Sequence, residues 1–571
     1  MSNLLKIVSS QYKHLPGRME DVIDPRTITK GSLFQNEPFS FQALYRAPQK
    51  TLCLAVSVAA KTTLPIEAFR VDYVAAIHVG NPYREAGFES DNPGLFPDIL
   101  MPRPANPEIV ALNTAWGHCS YFEKDTDALL NATDRDFQSV WFTINPNNTN
   151  LPVGEHTVTI TLTSLADKKI LEEKELCLTI LEPRLPDHDT YYTNWFHVDC
   201  ACDAFGTKPY SNAFYRIFDS YIKNMARHRQ NTLLLPAFTP ALDTAVGAER
   251  MNVQLVDIQK NNGTWFFGFD KMRRFVRHAK KCGIRFFEHC PLFSQWGAEH
   301  APNIYDKDGA RLFGFDTDAT GEEYRQFLRA YLTAFLSFAK EEGIDKSIIF
   351  HLSDEPSLKH LPSYRSAHDT VCDLLGGNPI ADAMAAMEFY REGLVDQPIL
   401  HVNHIDEVEE PCPTKWMYYT GGVYEKCCSN RMVTNTAALT RVIGVQMYRY
   451  GAIGFLQWAY NYYYDRLSAG YGDPRSAINT YKLYPGITHL CYPISDRRGQ
   501  YVVPSIREKL MAEAFDDLRA LKLLEQKIGR EATLALCEGA LGPITCRTIP
   551  EGEAMRHLRE TINQAIIDNI S

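Results

Sequence analysis

Ile348-Ile349-Phe350-His351-Leu352-Ser353-Asp354-Glu355-Pro356 is the stretch from which the rest of the chain is read. Its first five residues are mostly β-branched or aromatic and read as a short buried strand. Two adjacent carboxylates follow where that strand must stop. Pro356 cannot donate to a sheet ladder, and it pushes Glu355 out of the right-handed helical region. A helical pattern resumes over Tyr364 to Leu375. A second reading stays open, in which Ser353 caps a helix and Asp354 and Glu355 are first-turn acids favoured by its dipole. The setting separates the two. At the C-terminal tip of a β/α-barrel strand the pair faces the mouth, where such folds place their chemistry. Glycosidic bond cleavage needs one proton donor and one charge stabiliser, which such a pair supplies.

Working outward, strands alternate with helical patterns, the mark of βα units. Strands are expected at Tyr191 to Cys200, Asn231 to Phe238, Ile284 to Cys290 and the acidic stretch. Four more are expected at Pro379 to Ala383, Pro398 to Asn403, Lys415 to Tyr419 and Ala452 to Tyr460. Helices are expected near Asn212 to Arg229, Asp270 to Lys281 and Glu322 to Glu342. Eight strands are the number that closes a TIM-type barrel. Upstream, Phe39 to Tyr45, Leu52 to Val58 and Glu155 to Leu162 have strand length and are separated by Pro-, Asn- and Gly-rich turns, as in a β-sandwich. Asn92 to Leu100 reads as a loop suited to docking on a neighbour, and Pro183 to Asp189 as a linker. Ser505 to Leu524 is a capped amphipathic helix. The expected class is therefore α/β: a β-sandwich over residues 1–185, a (β/α)8 barrel over 186–504 and a short helical region over 505–571.

Composition narrows the function. With 571 residues, two or three domains are expected. A content of 45% hydrophobic residues excludes a disordered chain. The net charge of -10, without a long basic run, argues against a nucleic-acid partner. No run of about eighteen apolar residues predicts a membrane span. Met1 to Arg18 lacks the pattern of a signal peptide, so a cytoplasmic enzyme is expected, with its 14 cysteines reduced. The oligomeric state is left open, a homo-oligomer included.

The strand tips gather a consistent set. The first ends in His197 and Asp199, which the period of a strand puts on one face. The second leads into Thr239, Asp243 and Arg250, the third into Glu288 and, beyond it, Trp296. Later strands add Tyr418, Tyr419, Asn430, Arg431, Trp458 and Tyr462. Sugars present flat apolar faces ringed by hydroxyls, so sites for them combine aromatic platforms with short polar groups. Singly, each has a plainer reading: Trp296 and Trp458 as core, Asp243 and Arg250 as loop-ordering ions, Glu288 as a satisfied interior carboxylate. His401-Val402-Asn403-His404 and the scattered cysteines match no metal-ligand spacing, and no cofactor or metal is expected.

Several blocks together resemble glycoside hydrolase family 123 and its related domains of unknown function (the DUF4091 type). They are Asn194 to Cys200, Phe238 to Thr244 with Gly247, Glu249 and Arg250, Leu292 to Ala298, His351 to Pro356, Ser429 to Arg431, and Gly454 to Trp458. The resemblance implies a sandwich, a barrel and β-N-acetylgalactosaminidase activity by substrate-assisted retention. In that scheme Glu355 is the general acid/base and Asp354 orients the acetamido group. Glu355 then needs a raised pKa, which burial beside Asp354 would supply. Two alternatives stand beside it. One is a glycosidase for a sugar without an acetamido group, with Glu355 as acid and Glu288 or Asp199 as nucleophile or base. The other is a catalytically silent glycan-binding protein.

Overall fold

The computed structural model describes residues 3–17, 26–77, 87–90, 92–106, 130–240, 242–244, 248–408, 411–421, 428–476 and 485–570. Gly247 lies outside them. The N-terminal region is two five-stranded sheets. One runs, in spatial order, Leu5–Ser9, Phe39–Tyr45, Gln138–Ile144, Ile66–Ala76 and Gly94–Arg103; the other Lys30–Phe34, Ile170–Leu181, Gly154–Ser164, Leu54–Lys61 and Leu130–Ala132. In Gly154–Ser164 burial alternates, with Val158, Ile160 and Leu162 fully inside. That is the period-two signature of a strand with one face on a core.

Asn92 to Leu100 is a correction. Instead of a loop, Gly94–Arg103 is an edge strand paired with Ile66–Ala76. Pro97 sits at the register shift opposite Tyr73. At an edge or an irregularity a missing N–H costs no ladder bond, so the prolines are tolerated there. The strand does dock on a neighbour. Asp98 forms an ion pair with Arg507 at 2.9 Å, both side chains fully buried, so neither charge is left uncompensated. Arg507 opens the long helix Ile506–Ile528, whose cap Ser505 accepts the Glu508 N–H at 3.0 Å.

Between these regions lie eight parallel strands: β1 (Tyr191–Asn194), β2 (Thr232–Leu235), β3 (Phe286–His289), β4 (Ile348–Phe350), β5 (Ala383–Met384), β6 (Ile399–His401), β7 (Trp416–Tyr418) and β8 (Gly454–Gln457). Seven fall inside the segments expected for them, and β5 begins on the last residue of its expected segment, Pro379 to Ala383, and runs one residue past it. They form two sheets, β1-β8-β7-β6-β5 and β2-β3-β4, where one closed sheet was expected. The reason lies at the seams. Strands of two to four residues leave few ladder positions. Phe350 exchanges N–H and C=O bonds with Pro379 and Ala381 at 2.9 Å, short of β5 itself. At the other seam Asn231 N–H reaches Tyr192 C=O at 3.2 Å. Helices Asn212–Arg227, Asp270–Cys282, Glu322–Glu341 and Leu361–Val371 alternate with β1 to β5. One apolar core takes in Phe34, Leu185 and residues from Tyr192 to Ile566, so the C-terminal helices share it with the parallel strands. Among the described residues no helix is long and apolar enough to cross a membrane.

Candidate active site

β4 stops at Phe350, and the next helical turn begins only at Leu358, with Ser357 and His360 forming its capping box. Ser353 is therefore not a helix cap, and Asp354 and Glu355 stand in a bend outside any helix or strand. Glu355 takes φ = 46°, in the left-handed region that costs a non-glycine residue about 1–2 kcal/mol. This bend lets neighbouring carboxyls share one side of the chain, which strand geometry forbids. Asp354 is partly buried and Glu355 exposed.

Gln295 Nε2 donates to Asp354 Oδ2 at 3.1 Å, and the Tyr418 hydroxyl donates to Glu355 Oε1 at 2.8 Å. Burial, then the charge of Glu355, raises the Asp354 carboxyl to about 7, against the pull of Gln295. Burial and Glu355 also raise the Tyr418 hydroxyl, which therefore remains a donor.

Beneath the turn lies a buried charge cluster. His351 Nε2 meets Glu288 Oε1 at 3.0 Å, and its Nδ1 meets Asp382 Oδ1 at 3.3 Å. Burial opposes a charge on this ring, but the bonds to Asp382 and Glu288 prevail and hold it up at about 10. Glu288 is fully buried and also accepts from Thr193 Oγ1 at 2.5 Å and Trp195 Nε1 at 3.0 Å. It is the satisfied interior carboxylate, not an open tip.

The expectation that His197 and Asp199 extend the first strand is overturned. β1 ends at Asn194, and Asp199 lies in the first turn of helix Val198–Phe205, with His197 just before it. The chain leaves the sheet because Asn461 Oδ1 takes the His197 N–H at 2.8 Å and β8 offers no partner beyond Gln457. Arg250 still joins the two residues, with Nε and Nη2 on the Asp199 carboxylate at 2.8 and 2.9 Å. Its Nη2 also lies 3.1 Å from His197 Nδ1. Burial and Arg250 lower the His197 imidazole to about 4, so Nδ1 accepts while Nε2–H donates to Trp458 C=O at 2.9 Å. Arg250 also stacks over the Tyr462 ring, 5.5 Å from its centroid, and the Tyr462 hydroxyl donates to Asp243 at 2.7 Å. The Trp458 and Tyr462 rings meet edge to face at 5.0 Å. One contiguous wall thus contains His197, Asp199, Asp243, Arg250, Trp458 and Tyr462.

Other expected residues separate from this wall. Trp296 is 59% exposed, and its N–H binds the Asp354 carbonyl at 2.9 Å, so its indole stands in solvent beside the acid turn. Thr239 closes its own loop, with its hydroxyl 3.1 Å from Asn252 Oδ1 and accepting Val253 N–H. Tyr419 points the other way from Tyr418, its hydroxyl 3.4 Å from Met511 Sδ in the core. Alternation along β7 dictates this: one of two adjacent tyrosines must face inward. Arg431 is fully buried, binding Asn194, Gln457 and the Ala459 carbonyl. Asn430, also buried, binds Thr420 C=O at 3.1 Å. Tyr419, Asn430 and Arg431 brace the strands instead of lining an open mouth. Asp382 is a contact that inspection of the strand tips did not select. Asp382 precedes a two-residue strand that the sequence barely marks. His368, Asp369 and Cys372 place potential ligand atoms within 4.8 Å of one another, largely exposed and with no link to the acid turn.

The sequence model of the glycoside hydrolase 123 catalytic domain matches residues 195–524. The chain belongs to glycoside hydrolase family 123. Its fold is similar to that of a family 123 glycoside hydrolase from Clostridium perfringens, studied for glycolipid glycan hydrolysis, with TM-score 0.71 at 14% identity over 99% of this chain and 98% of the other. A family 39 glycoside hydrolase from Bacteroides cellulosilyticus aligns over 86% and 82% of the two chains, at 11% identity and TM-score 0.32. No curated protein sequence matches the chain. Family membership makes the protein a glycosidase acting on glycans, with a mixed α/β fold and a sheet-rich N-terminal region. Of the family-like blocks, Asn194 to Cys200 and His351 to Pro356 supply the wall and the acid turn.

Proposed function

We propose that this family 123 protein is an exo-acting β-N-acetylhexosaminidase, preferring N-acetylgalactosamine, that works through its substrate's own acetamido group. The observation that carries this reading is the pairing of two carboxyls on one bent turn while the alternative carboxylates are occupied. Glu288 accepts three hydrogen bonds in a sealed core, and Asp199 is held in a two-point pair by Arg250. Neither is poised to attack an anomeric carbon. The nucleophile is then supplied by the substrate.

In the proposed reaction Glu355 gives its proton to the glycosidic oxygen as the bond to the anomeric carbon breaks. The acetamido oxygen attacks that carbon from the opposite face and closes an oxazolinium ring. Asp354 accepts the acetamido N–H and stabilises the growing positive charge. Glu355, now ionised, takes a proton from water, which opens the ring with overall retention. Like charge disfavours double ionisation of adjacent carboxyls, and burial with the Glu355 charge raises Asp354 to about 7, so the turn holds a proton near neutrality. Trp296 and Trp458 serve as sugar platforms in this reading. The eight strands serve as staves of one (β/α)8 barrel over residues 186–504, flanked by the sandwich over 1–185 and the helices of 505–571. The bonds at both seams support that closure.

A panel of nitrophenyl β-glycosides tests the assignment. Fastest turnover is expected with N-acetylgalactosaminide, slower turnover with N-acetylglucosaminide. No turnover of any member would favour the glycan-binding alternative.

A further inference from the structure

Residues 351–355 lie beyond the end of β4, so no sheet ladder fixes them. Their carbonyls are held from one side. Leu292, Phe293 and Trp296 donate N–H groups to the carbonyls of His351, Leu352 and Asp354 at 3.0, 2.9 and 2.9 Å. Their amides are held from the other side by a single carboxylate. Asp382 Oδ2 accepts Leu352 N–H at 3.0 Å, Ser353 N–H at 3.2 Å and the Tyr364 hydroxyl at 2.5 Å, while Oδ1 faces His351 Nδ1 and Leu352 N–H. Asp382 is itself completely buried. Every polar neighbour named here is a donor, an arrangement that suits an acceptor-only carboxylate and not an amide. A left-handed glutamate such as Glu355 persists only where its surroundings over-determine the backbone.

We propose that Asp382 is a positioning residue for the glycosidase reaction: by clamping the Leu352 and Ser353 amides it fixes the bent turn that aims Asp354 and Glu355 at one sugar. This inference rests on the reading of that pair as the reacting carboxyls. Asp382 touches no substrate. It acts through the backbone, and through the field it shares with His351 and Glu288. The groups facing Asp354 are Glu355, Gln295, Asp382 and His351. Removing the negative charge of Asp382 lowers the proton affinity of the pair and moves the alkaline limb of the rate profile to lower pH.

The test is Asp382→Asn, assayed on whichever nitrophenyl glycoside the wild-type chain hydrolyses fastest, together with amide hydrogen exchange of both proteins. The expected kcat loss is on the order of tenfold to a hundredfold, the scale set by small misplacements of reacting groups. KM should stay within about threefold, since positioning acts on the reacting geometry more than on ground-state binding. The Leu352 and Ser353 amides should exchange faster in the variant, and the alkaline limb should shift down. Unchanged kcat with unchanged exchange overturns the proposal, as does a rise in KM at constant kcat. Should the variant fold poorly, wild-type exchange decides: Leu352 and Ser353 amides exchanging as freely as an open loop contradict the clamp. Exchange reports on the clamp whatever the carboxyls do, whereas Glu355→Gln reports on the carboxyls alone.

Discussion

Glu355→Gln is expected to lower kcat by roughly 10²–10⁴-fold on glycosides with poor leaving groups, the range that a positioned general acid contributes. The loss should shrink on dinitrophenyl glycosides, whose leaving group departs without a proton. Glutamine keeps the size of the side chain and can still accept the Tyr418 hydroxyl bond. Glu355 is exposed, so the fold should tolerate the change. Matching losses on activated and unactivated substrates would remove the acid role. Activity of the variant should not be restored by raising substrate concentration, because the missing proton acts only in the transition state.

Asp354→Asn is expected to cut kcat by about 10²–10³-fold while KM changes little, the size of effect seen when one preorganised electrostatic group is removed from a transition state. Stability should move the opposite way. The folded-state carboxyl of Asp354 is raised from 3.8 to about 7, so the folded protein binds more protons than the unfolded chain across that interval. The associated stability is present below pH 3.8 and is lost as the pH rises to about 7. Asparagine cannot ionise, so thermal melts should show the variant gaining on wild type between pH 4 and pH 8. A variant that loses stability relative to wild type over this rise would contradict a strained carboxyl at position 354.

Much of the frame was legible because short β-branched and aromatic runs alternate with strongly periodic helices. Glu322–Glu341 and Asp270–Cys282 emerge at nearly their expected bounds. The acid turn was legible for the same reason, since Pro356 and the end of an apolar run mark where the strand must stop. What the sequence concealed depends on contacts distant along the chain. The fate of His197 and Asp199 turns on Asn461 and Arg250, 264 and 51 residues away in the two bonds concerned. The burial of Arg431 turns on Asn194, 237 residues away. Asp382 carries no local signal, because its importance comes from amides 29 and 30 residues earlier. Expecting both Tyr418 and Tyr419 at the mouth ran against the period of two, since adjacent strand residues cannot both face it. The C-terminal helices illustrate another limit. Ile506–Ile528 shows an ordinary amphipathic pattern, yet it is buried along most of its length between the N-terminal sheets and the parallel strands.

The central claim is that the substrate provides its own nucleophile. The most direct measurement compares kcat for two glycosides identical except at C2, a β-N-acetylgalactosaminide and the corresponding β-galactoside with the same aryl leaving group. Replacing the acetamido group by hydroxyl removes the attacking oxygen itself, so turnover of the β-galactoside should be abolished at any concentration, with no compensating change in KM. Hydrolysis of the two glycosides at matching kcat would contradict the account, since an enzyme carboxylate would then have to serve as nucleophile or as the base that activates water.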